Sequence, residues 1–462
     1  MLKQIIKKMP NIIKKPIINI YNSLPEAFRY GQTFNKTYKF LKLSERWSEE
    51  QHREYEMKKV KEIIKYSYEN VPYYTRLFNE RNIKPEYIQN FNDLKKIPYL
   101  TKEIIRNNLD DLISKIYNKK NLKYVTTGGS TGIPMGFYQD KDREQKIEWA
   151  YTANLWSRIG YDIKKSYKMV IIRGNMPKVG DYEYIGRNLI LSSFNLIEDN
   201  MDNYIQKIID FKPDFIQAYP SSISLLSKYI IDNNINMPLS NLKAIICASE
   251  NLYDFQRKQL KQAFNTRVYS FYGHTEHSCL AGECEKSNYY HLQSEYGYTE
   301  LINESGDDAL LEDEAGEIVC TGFNNYVFPF IRYRTGDIAV NSNEKCICGR
   351  NYKLIKKIDG RRQDYFIDKT GSKVTFIYCD AALWEVKEKI YLYQYVQNEL
   401  GRVVLYIQCR DEFTKEDKMC VIREFKRFYP RFDIELYFTD HIEKTKMGKF
   451  RYLVQNINME VN

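Results

Sequence analysis

The sequence predicts an α/β protein: a large N-terminal domain of α/β sheets with a small β-barrel-like subdomain, then a small α+β C-terminal domain. Three observations carry this expectation. Between residues 122 and 271, short apolar runs alternate with helical patterns, which implies a largely parallel sheet with helices on its faces. Residues 290–345 change to short strands and turns punctuated by Gly297, Gly306, Gly316, Gly322 and Gly336, and from Lys353 onward strands and helices mix again. A chain of 462 residues is also too long for one small core, which points to roughly two to four subdomains.

The chain opens with a basic extension, residues 1–44, where Ile pairs mix with Lys pairs and Pro10 and Pro16 interrupt any continuous helix. It lacks the apolar core of a secretory signal. Two readings stay open for it: a solvated extension folded over the domain, or a basic amphipathic segment on an anionic membrane surface. Residues 45–120 read as helices. Val60, Ile63, Ile64 and Tyr68 share a face at helical spacing, Asn70-Val71-Pro72 ends that helix, and Thr101 ahead of Ile104 and Ile105 looks like a capped start. A strand at Leu122–Val125 and a helix from Asp142 to Ile159 are expected next. Strands at Met169–Ile172, Leu189–Ser192, Phe215–Tyr219, Leu242–Ala248 and Arg267–Phe271 then interleave with helices from Asn203 to Phe211, Ser221 to Asn233 and Tyr253 to Phe264. Further on, Glu317–Thr321 and Ile338–Val340 read as strands, as do Val403–Gln408 and Ile434–Phe438 on either side of a helix from Lys415 to Tyr429.

The stretch Thr126, Thr127, Gly128, Gly129, Ser130, Thr131, Gly132 packs three glycines and four hydroxyls into seven positions after the first strand. Glycines allow close backbone approach and hydroxyls add donors, which suits polyphosphate oxygens. It is not a P-loop, because no lysine follows any of its glycines before Lys141 and Pro134 opposes a helix start. By itself it reads better as an ordinary Gly/Ser/Thr surface turn, and only the rest of the chain favours the phosphate loop. Ligands of parallel sheets bind beyond the carboxyl ends of strands. This loop, Ala248-Ser249-Glu250 and Tyr272-Gly273-His274-Thr275-Glu276 each follow a predicted strand, so all three can line one crevice.

Composition excludes several classes. Hydrophobic content of 43% with 28% charged residues is globular, and no apolar run is long enough to cross a bilayer. The net charge of +10 is interleaved with Asp and Glu rather than gathered on one face, which argues against nucleic-acid binding. Nine Cys without a secretory signal suit a reducing, cytoplasmic compartment, with the inner membrane face as the site of any peripheral contact.

Taken in order, Thr126–Gly132, Tyr272–Glu276, Tyr333-Arg334-Thr335-Gly336-Asp337, Gly360-Arg361 and Gly448-Lys449 resemble the motifs of the adenylate-forming superfamily of acyl- and aryl-CoA ligases. NVPYYTRLF, KKIPYLTKEIIRNN, YGHTE, CICGR, KIDGRRQDYFID and KTKMGKFRYL narrow the resemblance to the phenylacetate–CoA ligase-like branch and its CapK-like capsular polysaccharide biosynthesis members, from about residue 45 to about residue 455. The resemblance implies three parts: the extension 1–44, a large ATP- and acyl-binding domain 45–359 with a helical start (45–120) and a β-rich, zinc-bearing part (about 280–350), and a mobile C-terminal lid 360–462. It implies attack of a small carboxylic acid on the α-phosphate of ATP, giving an acyl-adenylate and pyrophosphate. The acyl group then passes to CoA, or to an amine or hydroxyl of a sugar or carrier in surface polysaccharide synthesis.

Such chemistry needs positioning and charge neutralisation more than covalent catalysis. By this resemblance, Ser130, Thr131 and neighbouring N–H groups hold the departing phosphates, Glu276 holds Mg²⁺ and Thr275 donates to the α-phosphate. Asp337 accepts from both ribose hydroxyls, and Arg361 pairs with ribose or phosphate oxygens. Glu250 and Ser249 line the adenine pocket on which Tyr272 stacks, with His274 near the acyl group or nucleotide. Lys449 is the expected mobile catalytic cation, and Gln363 or Asp364 is the hinge. Tyr219, Pro220, Ser249 and His274 are the expected lining of the acid pocket.

Cys284, His291, Cys346 and Cys348 combine a Cys-x-Cys pair with an upstream Cys and His, a donor set for a closed structural Zn²⁺ site; Cys279 is an alternative ligand. Free thiols are the competing reading. The chain departs from the superfamily where Pro134-Met135 replaces Pro-Lys, and where FIDKTGSKVTFIY replaces the usual acceptor-handling pattern after the hinge. CoA therefore stays one acceptor among several. Monomer and homodimer stay open. The main rival is a catalytically inactive nucleotide- or acyl-binding scaffold, against which the joint presence of Glu276, Asp337 and Lys449 argues.

Overall fold

The structure, a computed structural model, describes residues 11–127, 135–140, 142–174, 180–361, 365–375, 379, 381–445 and 448–457, without the side chains of 11–16, 359–361, 373, 375 and 381. The chain divides into two compact units, Met1–Ile358 and Asp359–Asn462. Among the described residues no helix is long and apolar enough to cross a membrane.

In the first unit the helix Glu49–Asn70 starts at a capping box, Ser48 accepting from the Gln51 N–H and the Gln51 side chain accepting from the Ser48 N–H. Val60, Ile63 and Ile64 form its buried stripe. Val71, in an extended conformation ahead of Pro72, stops it, and Pro72 opens the helix Pro72–Glu80. The Thr101 hydroxyl caps Lys102–Asn107 by accepting from Ile104.

Among the described residues there are twenty strands. β1 (Leu122–Thr126) pairs antiparallel with β2 (Gly136–Asp140), a strand the sequence reading did not foresee. Thr126, where the Gly-rich stretch begins, thus ends a strand of a separate two-stranded sheet rather than a strand of the parallel sheet. Next come β3 (Met169–Arg173), β4 (Tyr182–Ile185), β5 (Asn188–Ser192), β6 (Phe215–Ala218), β7 (Ala244–Cys247) and β8 (Arg267–Gly273). In the order β5-β3-β6-β7-β8 these pair in parallel, with β4 antiparallel at the edge. The helices Glu198–Phe211, Pro220–Asp232 and Asp254–Phe264 make the crossovers.

The β-rich segment continues this ladder. β9 (Leu280–Gly282), β10 (Tyr290–Leu292), β11 (Gly297–Ile302), β12 (Ala315–Gly322), β13 (Tyr333–Ser342) and β14 (Leu354–Arg361) extend the sheet beyond β8 in the order β9-β10-β14-β13-β12-β11. The start of the chain is stitched to β13: Leu100 donates to the Arg332 carbonyl, Arg334 donates back to Leu100, and the buried Arg332 guanidinium pairs with Glu300 at 2.9 Å. These bonds fix the segment that carries Tyr333 and Asp337.

The second unit holds the ribbon β15 (Tyr365–Ile367) and β16 (Lys373–Thr375). It also holds a four-stranded sheet in the order β19-β18-β17-β20, made of β17 (Ile390–Glu399), β18 (Arg402–Cys409), β19 (Asp433–Phe438) and β20 (Leu453–Gln455). The helix Lys415–Phe428, capped by Thr414, buries Val421 and Phe425. β17 and β20 escaped the sequence reading. β17, YLYQYVQ at its centre, offers polar residues and tyrosines in place of the apolar run a strand search relies on.

Candidate active site

β8 turns into β9 through His274–Cys279, with His277 at a positive φ of 54° and its N–H donating to the His274 carbonyl. The turn folds Glu276 inward, where it is 6% exposed. Facing it is β13, whose Tyr333-Arg334-Thr335-Gly336-Asp337 run approaches from the other arm of the ladder.

Two hydrogen bonds join the segments reciprocally. Tyr272 donates to Asp337 Oδ2 at 2.7 Å, and Tyr333 donates to Glu276 Oε1 at 2.7 Å. His274 Nδ1 lies 3.3 Å from Glu276 Oε2. Burial pushes the Glu276 carboxyl up, but His274 and the Tyr333 hydroxyl outweigh it and hold the group at about 2. Burial, with Asp337 adding to it, keeps the Tyr272 phenol far above its ordinary range, so it stays a donor.

Asp337 sits on a prepared turn. Its N–H donates to Thr335 Oγ1, which donates to the Ile318 carbonyl, and the Gly336 N–H donates to Glu317 Oε1. Gly336 has a φ of +81°, a conformation costly for residues with a Cβ. Lys102 closes the back by donating to the Thr335 carbonyl at 3.0 Å.

The stem of the Gly-rich hairpin meets the same place. Gln139 donates to the Thr275 carbonyl at 3.2 Å, Met135 Sδ is 4.0 Å from the Tyr333 hydroxyl, and the Thr127 N–H donates to the Met135 carbonyl. Thr126 and Thr127 therefore stand at the mouth of the site, while Gly128, Gly129, Ser130, Thr131 and Gly132 lie outside the described residues. Ser249, at a φ of +70°, follows the end of β7, and Glu250 accepts from the Ser221 N–H, tying that end to the start of the helix Pro220–Asp232. Arg361 is described only in its backbone, as the last residue of β14; Gln363 and Asp364 lie outside the described residues.

Lys449 belongs to the second unit. Its N–H donates to Thr445 Oγ1, its carbonyl accepts from Thr445 N–H, and Gly448 has a φ of +71°. The backbone of Lys449 is thus tied to Thr445. Sequence reasoning missed Gln139, Lys102 and the role of Tyr333. Tyr333 was readable as the head of the Thr-Gly-Asp run, but Gln139 and Lys102 act across 136 and 233 residues and carry no local signal.

A second cluster lies in the same unit as Glu276. The donor atoms of Cys284, His291, Cys346 and Cys348 all fall within 4.8 Å of one another, with Cys284 Sγ to Cys346 Sγ at 3.6 Å and Cys348 Sγ to His291 Nε2 at 3.3 Å. Tetrahedral zinc, with bonds of about 2.3 Å to sulfur and about 2.0 Å to nitrogen, sets such donors roughly 3.4–3.8 Å apart, so the residues fit the metal. All nine cysteines are free of disulfides. Burial and the neighbouring sulfurs push the Cys346 thiol up to about 12, while His291 holds the Cys284 and Cys348 thiols below their ordinary range. Cys279 accepts from Thr299 at 3.4 Å and is not among the four.

The comparisons define a class first. A 2-hydroxyisobutyryl-CoA ligase, solved in the postadenylation state with R3-HIB-AMP, superposes with a TM-score of 0.68 over 98% of this chain and 94% of its own, at 16% identity. The fold is that of the adenylate-forming ligases. Within that class, residues 366–456 match the family described as CapK C-terminal domain. The chain is 26% identical to Protein CapK of Staphylococcus aureus, over 99% of this chain and all of that protein. It is 24% identical to Phenylacetate-coenzyme A ligase of Thermus thermophilus, over 79% of this chain and 83% of the relative. The resemblance to the phenylacetate–CoA ligase-like branch holds, with CapK the relative matched along its full length.

Proposed function

We propose that this adenylate-forming ligase uses ATP to activate a small carboxylic acid as its acyl-adenylate. The acyl group then passes to CoA, or to an amine or hydroxyl of a sugar or carrier during assembly of a surface polysaccharide. The single observation that carries the reading is the reciprocal pair Tyr272–Asp337 and Tyr333–Glu276, which ties each carboxylate to the strand or turn that carries the other. The ligase relatives support the reaction class, and the match to CapK supports the polysaccharide setting.

Asp337, on its fixed turn, holds the ribose hydroxyls. Glu276 is ionised at any working pH and presents a hard oxygen, which fits Mg²⁺; bound there, the ion would neutralise phosphate charge. Thr275 and the hairpin hydroxyls donate to the phosphates, and Lys449 supplies a cation to the acid carboxylate and α-phosphate. Tyr272 spends its hydroxyl on Asp337, which leaves its ring to stack on adenine. Cys284, His291, Cys346 and Cys348 would hold a structural zinc and clamp the β-rich part of the sheet.

ATP–pyrophosphate exchange across a panel of small carboxylic acids tests the reading: acid-dependent exchange is expected, and none with any acid removes it. For the zinc, metal analysis of purified protein should give about one equivalent per chain. Cys348→Ser should lower metal content severalfold and bring the unfolding temperature down with it; full-length protein without metal but equally stable contradicts the assignment.

A further inference from the structure

The described part of the N-terminal extension lies against the first unit. Ala27 donates to the Ile163 carbonyl at 3.1 Å, Ser166 Oγ to the Ser23 carbonyl at 2.8 Å, and the Gly186 N–H to Asn19 Oδ1 at 3.4 Å. Glu26 and Phe34 are buried on this inner side, and Tyr30 stacks on Trp149. Ile20, Leu24 and Phe28 are left outside, at 66%, 44% and 74% exposure. They stand four residues apart across the helices Asn11–Ser23 and Glu26–Arg29, the spacing at which side chains of a helical run share a face.

Positive charge gathers around this apolar stripe. Residues 1–44 hold nine Lys and Arg against the single acid Glu26, a net +8 of the chain's +10, so over the rest of the chain bases and acids nearly balance. Glu26 is itself buried beside Arg29, at 3.6 Å, whereas Lys36 and Lys39 are exposed. The body of the unit adds to the same field. Lys164 and Lys165 follow the Ile163 carbonyl that Ala27 bonds, Arg187 follows the Gly186 that Asn19 holds, and all three are exposed.

We propose that this face docks on an anionic lipid surface, with Ile20, Leu24 and Phe28 entering the boundary between headgroups and acyl chains and the cations facing the lipid phosphates. Apolar side chains flanked by lysines on one face are what an interfacial segment needs, because burial and charge attraction act together. A nucleic acid would meet the charge but leave the apolar stripe in water. A second copy of the chain would cover the stripe but bring its own cations against these.

The test is flotation of the full chain with vesicles of phosphatidylglycerol and, separately, of phosphatidylcholine. It is done without ATP, which keeps it independent of the adenylation reading. Binding to phosphatidylglycerol and not to phosphatidylcholine is expected, weakening as salt rises. Phe28→Ser should weaken it about tenfold or more, while ATP–pyrophosphate exchange and melting temperature hold. Ile20→Ser, on the other helix, gives the same reading should Phe28→Ser fold poorly. Lys36→Glu combined with Lys39→Glu should weaken binding likewise. No binding to phosphatidylglycerol overturns the proposal, as does binding that both serine variants retain in full, since charge alone would then suffice. A dimer in sedimentation equilibrium that Phe28→Ser dissolves, with vesicles left unbound, overturns it in favour of a second copy.

Discussion

Lys449→Ala lowers ATP–pyrophosphate exchange by roughly 10²–10³-fold while leaving the melting temperature within a degree or two. The size follows from removing one preorganised charge from a transition state whose cost is charge on the α-phosphate. The specificity follows from where the lysine sits. Lys449 is bound to Thr445 through its own N–H and carbonyl, and truncation of the side chain leaves both bonds in place. Lys449→Arg should recover only part of the activity, because a planar fork does not reproduce a compact ammonium. Exchange that survives Lys449→Ala unchanged would remove the residue from the catalytic set.

Glu276→Gln should cost about 10²–10³-fold in exchange and raise the magnesium concentration needed for half-maximal rate. Gln keeps the shape and an acceptor for the Tyr333 hydroxyl, so a structural role alone would be spared; loss with restoration at high magnesium is specific to the carboxylate. The same variant has a signature in stability. The folded carboxyl is depressed to about 2, below the usual range of an unfolded Glu near pH 4.3, so its contribution is present above about pH 4.3 and lost as pH falls toward 2. Wild type should lose more urea resistance across that window than Glu276→Gln, and parallel losses would show that the carboxylate is not stabilised as its contacts imply. Above pH 5 the acidic limb of the rate profile should not report Glu276.

What the sequence revealed, and what it hid, divides along range. The alternation of the parallel strands is written in local apolar runs, and helix limits at Thr101 and Pro72 are written in a cap and a proline. The ordered motifs pointed to Glu276 and Asp337, and the Cys-x-Cys pair with an upstream Cys and His pointed to the Cys284–Cys348 quartet. The pairing of β1 with β2 was hidden, because GFYQD after the loop is short and mixed in character. So was the continuation of the sheet through β9 to β14, since ladder order is decided by contacts across tens of residues and not by any window. The cross-bonding of Tyr272 to Asp337 and Tyr333 to Glu276 belongs to the same class: each tyrosine was visible as part of a motif, but its partner lies 65 or 57 residues away.

The central claim is that the two tyrosine-held carboxylates flank one nucleotide. A crystal structure of the protein with a non-hydrolysable acyl-adenylate analogue measures it directly. The account predicts ribose hydroxyls within hydrogen-bond distance of the Asp337 carboxylate and the phosphate-side group beside Glu276. A nucleotide bound elsewhere, touching neither carboxylate, would contradict it.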